Sequence, residues 1–223
     1  MKRFCLVALA AVSILLSGLP GSQAQSANNS KLATIAELTE QAKQRVTAKV
    51  RVALPTEWLE SPKSNDSFEP AGSGRTPNYL LALASIPNAP KSFGQLFKTF
   101  VYGGTIAPET KAAMGLRVAQ VNGSPYVAAH TIRLLRESAR GSELLNALRD
   151  GKLTALKPAE QRALNYAELL TRDVLGITDA EFQNTGAIYN DAQMVELTMV
   201  VCFFNYFTRY AEALNLPVEA WAI

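Results

Sequence analysis

Apolar residues recur along this chain every three or four positions, and the runs they form are separated by the residues that start and stop helices. From Ser30 to Ala53, Leu32, Ile35, Leu38, Ala42 and Val46 fall on one side of a helix whose other side is charged. The stretch Ser61 to Arg75, SPKSNDSFEPAGSGR, has the composition of a loop or linker, and a domain boundary is placed there. Thr76 and Pro77 then predict a helix start, with Thr76 as N-cap and Pro77 in the first turn. The apolar run Tyr79 to Ile86 is interrupted by Pro87 and Pro90, and Ser92 to Val101 forms a further helix closed by Gly103 and Gly104.

Met114, Val118 and Val121 give the segment Pro108 to Val121 a helical spacing. Asn122-Gly123-Ser124-Pro125 then supplies a C-terminal stop, an N-cap and a new first turn, which predicts a helix–helix corner. The next helix runs to about Ala139, a short one covers Ser142 to Leu148, and another covers Pro158 to Val174. Thr178 with Glu181, and Asn190 with Gln193, have the spacing of capping boxes and mark two more starts. The closing helix contains LTMVVCFFNYF, Leu197 to Phe207, apolar nearly all round. It is therefore either the central helix or one that also packs against another subunit. No segment alternates with a period of two, so the expected fold is all-α.

Composition adds a leader. Met1-Lys2-Arg3, the apolar run Phe4 to Leu16 and the small residues Ser22-Gln23-Ala24 predict a signal peptide cut after Ala24. A membrane anchor is the competing reading, but the run is short for a span and ends in Gly and Pro. The expected organisation is residues 1–24 as leader, 25–75 as a helical extension with linker and 76–223 as the main helical domain. The mature protein is then periplasmic or secreted, with no membrane span. Cleavage removes Lys2 and Arg3 and no acid, leaving 20 basic against 19 acidic residues. With those charges interspersed, nucleic acid is excluded as a partner. Cys5 leaves with the leader, so Cys202 stands alone and an intramolecular disulfide is impossible. A single histidine, His130, removes multi-histidine metal sites, and neither metal nor cofactor is expected.

Three stretches carry a resemblance. Leu116 to Gly123 (LRVAQVNG), followed by Tyr126 and His130-Thr131, resembles the helix–turn–helix core LRVAxLNGCxYC…HT of the carboxymuconolactone decarboxylase and alkyl hydroperoxidase D family. Lys157 to Asp173 and Asn190 to Pro217 are similar to its next block and its closing helix; Ser26 to Arg75 lies outside the likeness. The resemblance implies an all-helical oligomer, a trimer or hexamer, with small-molecule chemistry near the helix–turn–helix. Its peroxidase branch uses two cysteines three apart, a glutamate twelve residues before the first, and a histidine seven after it. Here the first cysteine position holds Ser124 and the second is at or beside Val127; the glutamate position falls on Ala112; and His130 follows Ser124 by six.

A thiol peroxidase needs a thiolate and a second thiol to resolve the sulfenic acid, so cysteine-based peroxidase activity is not expected. Cys202, in its apolar helix, is expected to be buried and inert. Ser124 is expected to act as an N-cap, and Asn205 with Arg209 to hold helices or subunits together. His130 is the candidate acid or base, since the decarboxylase branch resembles this chain in keeping a histidine there without a cysteine pair. Tyr126, Arg133, Leu134 and Glu137 share its helical face, and Tyr126 and Arg133 are the candidate substrate contacts, Arg133 for a carboxylate. The competing assignment for His130 is a half-buried imidazole bonded to a backbone carbonyl or to Tyr126. Two functions remain open: cofactor-free acid–base chemistry on a small lactone or carboxylate, or a non-catalytic helical oligomer that binds a small ligand or a partner.

Overall fold

The computed structural model describes residues 31–55 and 76–223, and every regular element in them is helical. The leader at 1–24 and the linker at 61–75 lie outside the described residues. The first helix, α1 (Ile35–Arg45), starts later than its periodicity suggests, because Thr34 and Glu37 form a capping box that fixes the start, and it also ends earlier, at Arg45. It buries Ile35, Leu38 and Ala42, and Arg45 in its last turn reaches the carbonyls of Ala211 (3.1 Å) and Leu216 (2.9 Å) and pairs with Glu212.

The next helix, α2 (Asn78–Leu83), corrects one expectation: Pro77, not Thr76, takes the N-cap position and offers no side-chain acceptor. A carboxylate from the far end of the chain, Glu219, accepts the Asn78 amide instead. Helix α3 (Ala89–Phe97) starts earlier than expected, since Pro90 falls in its first turn, where a missing N–H is harmless. It runs on into a wide π turn, Lys98–Tyr102, before Gly103.

The predicted corner forms as read. Helix α4 (Pro108–Asn122) ends at Gly123, whose φ of 65° is the left-handed conformation that favours glycine. Ser124 caps α5 (Pro125–Arg136) by accepting the Val127 amide. Helices α6 (Gly141–Asp150), α7 (Pro158–Arg172), α8 (Asp179–Gly186) and α9 (Asp191–Leu214) follow, and both predicted capping boxes are present at α8 and α9.

The central helix is α4. It is buried from Thr110 to Gln120 and packs on α5, α7 and α9, while α1 lies across α5. Helix α9 buries Leu197, Val200, Val201, Phe203, Phe204 and Phe207 and leaves another stripe outward. No helix among the described residues is long and apolar enough to cross a membrane. Two features lock α4 against α9. Lys111, fully buried, pairs with Glu196 on α9 at 2.5 Å and bonds the Gly103 carbonyl, while Glu196 accepts the Thr105 (3.0 Å) and Ile106 (3.1 Å) amides. Four residues on, Gly115 lets the Phe204 ring approach so closely that a Cβ would lie 2.6 Å from its nearest carbon.

Gly115→Ala gains about 1 kcal/mol of helix propensity but forces that ring aside, and overpacking costs about 1–3 kcal/mol. The variant is expected to be the less stable protein, with its urea midpoint lowered. A midpoint at or above that of the parent would show that the contact yields freely.

Candidate functional site

The chain leaves α9 through Asn215, whose φ of 52° turns it back over α5. Leu216 and Val218 enter the core, the Pro217 carbonyl accepts from the Asn78 side chain at 2.9 Å, and the Val218 amide bonds the Arg45 carbonyl. This route delivers Glu219 to the inner face of α5.

There His130, with no exposed surface, meets Glu219: its Nε2 lies 2.9 Å from Glu219 Oε2. The other carboxylate oxygen accepts the Tyr126 hydroxyl at 2.8 Å and the Asn78 amide. The Tyr126 oxygen in turn accepts the Tyr79 amide at 3.2 Å, and its ring centroid is 4.8 Å from the imidazole. Burial works against the charge on Glu219, but the His130 imidazole, its hydrogen bond and the Asn78 amide outweigh it and hold the carboxyl below its ordinary range. Burial, and then the Glu219 carboxylate, push the Tyr126 phenol well above its ordinary value.

Tyr126 and His130 therefore meet as their spacing of four predicts, through a carboxylate the spacing does not reveal. Arg133 lies one turn on: its Nη1 pairs with Glu137 at 2.9 Å, and its guanidinium stands 5.4 Å from the centre of the Trp221 ring. Trp221 also meets the imidazole edge-on, with centroids 5.6 Å apart. The missed residues, Glu219 and Trp221, share the tail LPVEAWAI. A lone acid in so apolar a run had to find a partner once buried, and that was the available signal.

Ser124 is the N-cap expected of it, and its hydroxyl also donates to Glu212 at 2.6 Å, the acid that pairs with Arg45. Asn205 holds helices together as expected: it accepts from Asn122 on α4 at 3.0 Å, donates to Thr171 on α7 at 3.1 Å, and carries Arg209 at 3.1 Å. Cys202 departs from expectation. It is exposed, because α9 buries the sides facing α4, α5, α7, α8 and the π turn, and Cys202 falls on the remaining one.

The sequence profile of the carboxymuconolactone decarboxylase family matches residues 87–169, a segment running from α3 through the α4–α5 corner into α7. This segment belongs to that family. No curated protein matches the chain. Among solved structures, a peroxidase-related protein from Silicibacter sp. TM1040 is 20% identical over 67% of this chain and 80% of its own, with a TM-score of 0.63. The alkylhydroperoxidase AhpD core of a peroxidase-related protein from Ralstonia eutropha JMP134 is 15% identical over 86% of this chain and 93% of its own, at 0.61. The debrominase Bmp8, in complex with 2,3,4-tribromopyrrole, is 21% identical over 67% of this chain and 80% of its own, at 0.60. These likenesses are of fold. Within the carboxymuconolactone decarboxylase segment, the first position that resembles a peroxidase cysteine carries Ser124, and the second is at or beside Val127.

Because the folded carboxyl of Glu219 titrates below its unfolded value of about 4.3, its stabilising share is complete above that pH and lost as pH falls through the lower folded value. Glu219→Gln is expected to unfold about 1–3 kcal/mol more easily at pH 7. The gap should narrow as pH is lowered through the carboxylate range, as read by urea titrations across pH. A constant gap at all pH values would mean that the charge of Glu219 contributes nothing.

Proposed function

We propose that this is an exported protein, periplasmic or secreted, that carries out cofactor-free acid–base chemistry on a small carboxylate or lactone, with His130 as the proton-transferring group. The observation that carries this reading is the buried contact of 2.9 Å between His130 and Glu219, a carboxylate that Tyr126 and the Asn78 amide also hold. Histidine suits proton transfer near neutral pH, and a paired carboxylate orients the ring.

Nε2 is occupied by Glu219, so His130 serves a substrate only when the segment from Leu216 to Ile223 moves aside. A substrate carboxylate entering there meets the donors Glu219 now meets, and Arg133 lies one turn away to hold a second anionic group. In a decarboxylation the carbon–carbon bond to the carboxylate breaks, carbon dioxide leaves, and the electron pair stays on the substrate carbon. The Nε2 proton then passes to that carbon, and water restores it to the imidazole. The fold shared with a debrominase that holds 2,3,4-tribromopyrrole supports a small ligand.

The complete burial of His130 favours a second reading, in which the His130–Glu219 pair is a structural pin and the protein is a non-catalytic oligomer binding a ligand or partner. Under either reading the chain self-associates, as the trimer or hexamer its family resemblance implies. Cysteine-based peroxidase chemistry has no place in either, since one thiol cannot both react and resolve.

His130 is the only imidazole, so its NMR signals are unambiguous. On the first reading they shift when a panel of small carboxylates and lactones is added, and His130→Ala loses turnover while its mass in solution stays unchanged. Signals that stay fixed across the panel, with His130→Ala merely less stable, would leave only the structural pin.

A further inference from the structure

The outward positions of α9 form a seam. Val195, Met199, Cys202 and Tyr206 follow at spacings of four, three and four, the period at which a helix keeps one straight edge toward a partner helix. Val195 is 64%, Met199 37% and Tyr206 49% exposed, and Cys202 is exposed as well. Asp191 stands at the N-terminal end of the seam and Arg209 at its C-terminal end, both at the surface. Beside the N-terminal half lies an apolar groove of about 300 Å³ between α8 and α9, walled by Phe182, Val195 and Met199 and reaching Asp191.

We propose that this seam pairs with the same seam of a second copy of the chain, antiparallel, about a twofold axis between Met199 and Cys202. The charges select the direction. A parallel pairing sets Asp191 against Asp191 and Arg209 against Arg209, whereas the antiparallel one brings each Arg209 beside the other copy's Asp191. The register then follows from the spacing: Met199 faces the second copy's Cys202, and Tyr206 faces the second copy's Val195. That places the phenol ring of each copy over the groove of the other, an aromatic anchor meeting an apolar recess on both sides of the axis. A small ligand in the groove would cover Val195 and Met199 but leave Cys202 and Tyr206 in water, so a second copy accounts for the whole seam. The proposal rests on the self-association stated above and adds to it a face and a symmetry, which make the assembly even-numbered.

The register is testable by disulfide trapping in the purified protein. Helices packed about 8–10 Å apart bring directly facing Cα atoms within the roughly 4.4–6.8 Å a disulfide spans, while positions offset by a turn fall outside it. Met199→Cys, oxidised with copper–phenanthroline, is expected to form a dimer joined between position 199 of one copy and Cys202 of the other, identified by tandem mass spectrometry. Val195→Cys should give no link to Cys202, and Tyr206→Glu should weaken association about thirty-fold or more in sedimentation. A 199–199 or 202–202 link would overturn the antiparallel register. An oligomer untouched by Tyr206→Glu and without the 199–202 link would overturn the seam while leaving self-association standing, and a monomeric parent protein would overturn both.

Discussion

A carboxylate taken out of water must be held by donors, and the arrangement around Glu219 meets that constraint from three directions. His130 comes from α5, Tyr126 from the turn before it, and the Asn78 amide from the start of α2. Each donor serves a second purpose. The Asn78 amide would otherwise be an uncapped helix start, since Pro77 cannot cap it; Tyr126 also takes the Tyr79 amide; and His130 has its imidazole fixed in orientation. The chain end is thus docked by polar bonds as much as by the burial of Leu216 and Val218. The same carboxylate that completes the core closes the place where a histidine could work.

The α4–α5 corner shows a related substitution of roles. In the peroxidase branch of the family, a cysteine opens the helix after the turn; here Ser124 opens it. Its hydroxyl accepts one amide and donates to Glu212, which Arg45 neutralises from α1. Its hydroxyl thus ties α1, α5 and the end of α9 together. Cys202 lies apart from this corner, on the outward face of α9.

Much of this was legible in the sequence because helix ends are local events. Gly123, Ser124 and Pro125 set the corner by conformation, capping and a missing donor, each readable within four residues, and the boxes at Thr178 and Asn190 likewise. Tyr126 below His130 follows from helical spacing alone. What escaped were the contacts between residues far apart in the chain: Glu219 on His130, 89 positions away, and Glu219 again on the Asn78 amide, 141 away. The start of α2 was misread for the same reason, since its cap comes from the other end of the protein. Of the candidate site, the face of α5 was legible and the tail that covers it was not.

Helix α9 marks the limit of periodicity as a guide. Between Leu197 and Phe207 apolar residues occupy almost every direction, so the pattern could not say which sides the monomer would cover. Packing decided it: Phe203, Phe204 and Phe207 turn inward, where Gly115 admits the Phe204 ring, and Val195, Met199, Cys202 and Tyr206 are left out. A single exposed apolar residue is ordinary on any surface, but a row of four at helical period is not. Such a row would be expected to drift toward polarity unless something covers it, and charged residues, Asp191 and Arg209, stand at its two ends. The contrast between those charged ends and the apolar centre is what gives the seam a direction. Solvent alone does not account for a helix that is polar at its outward ends and apolar between them.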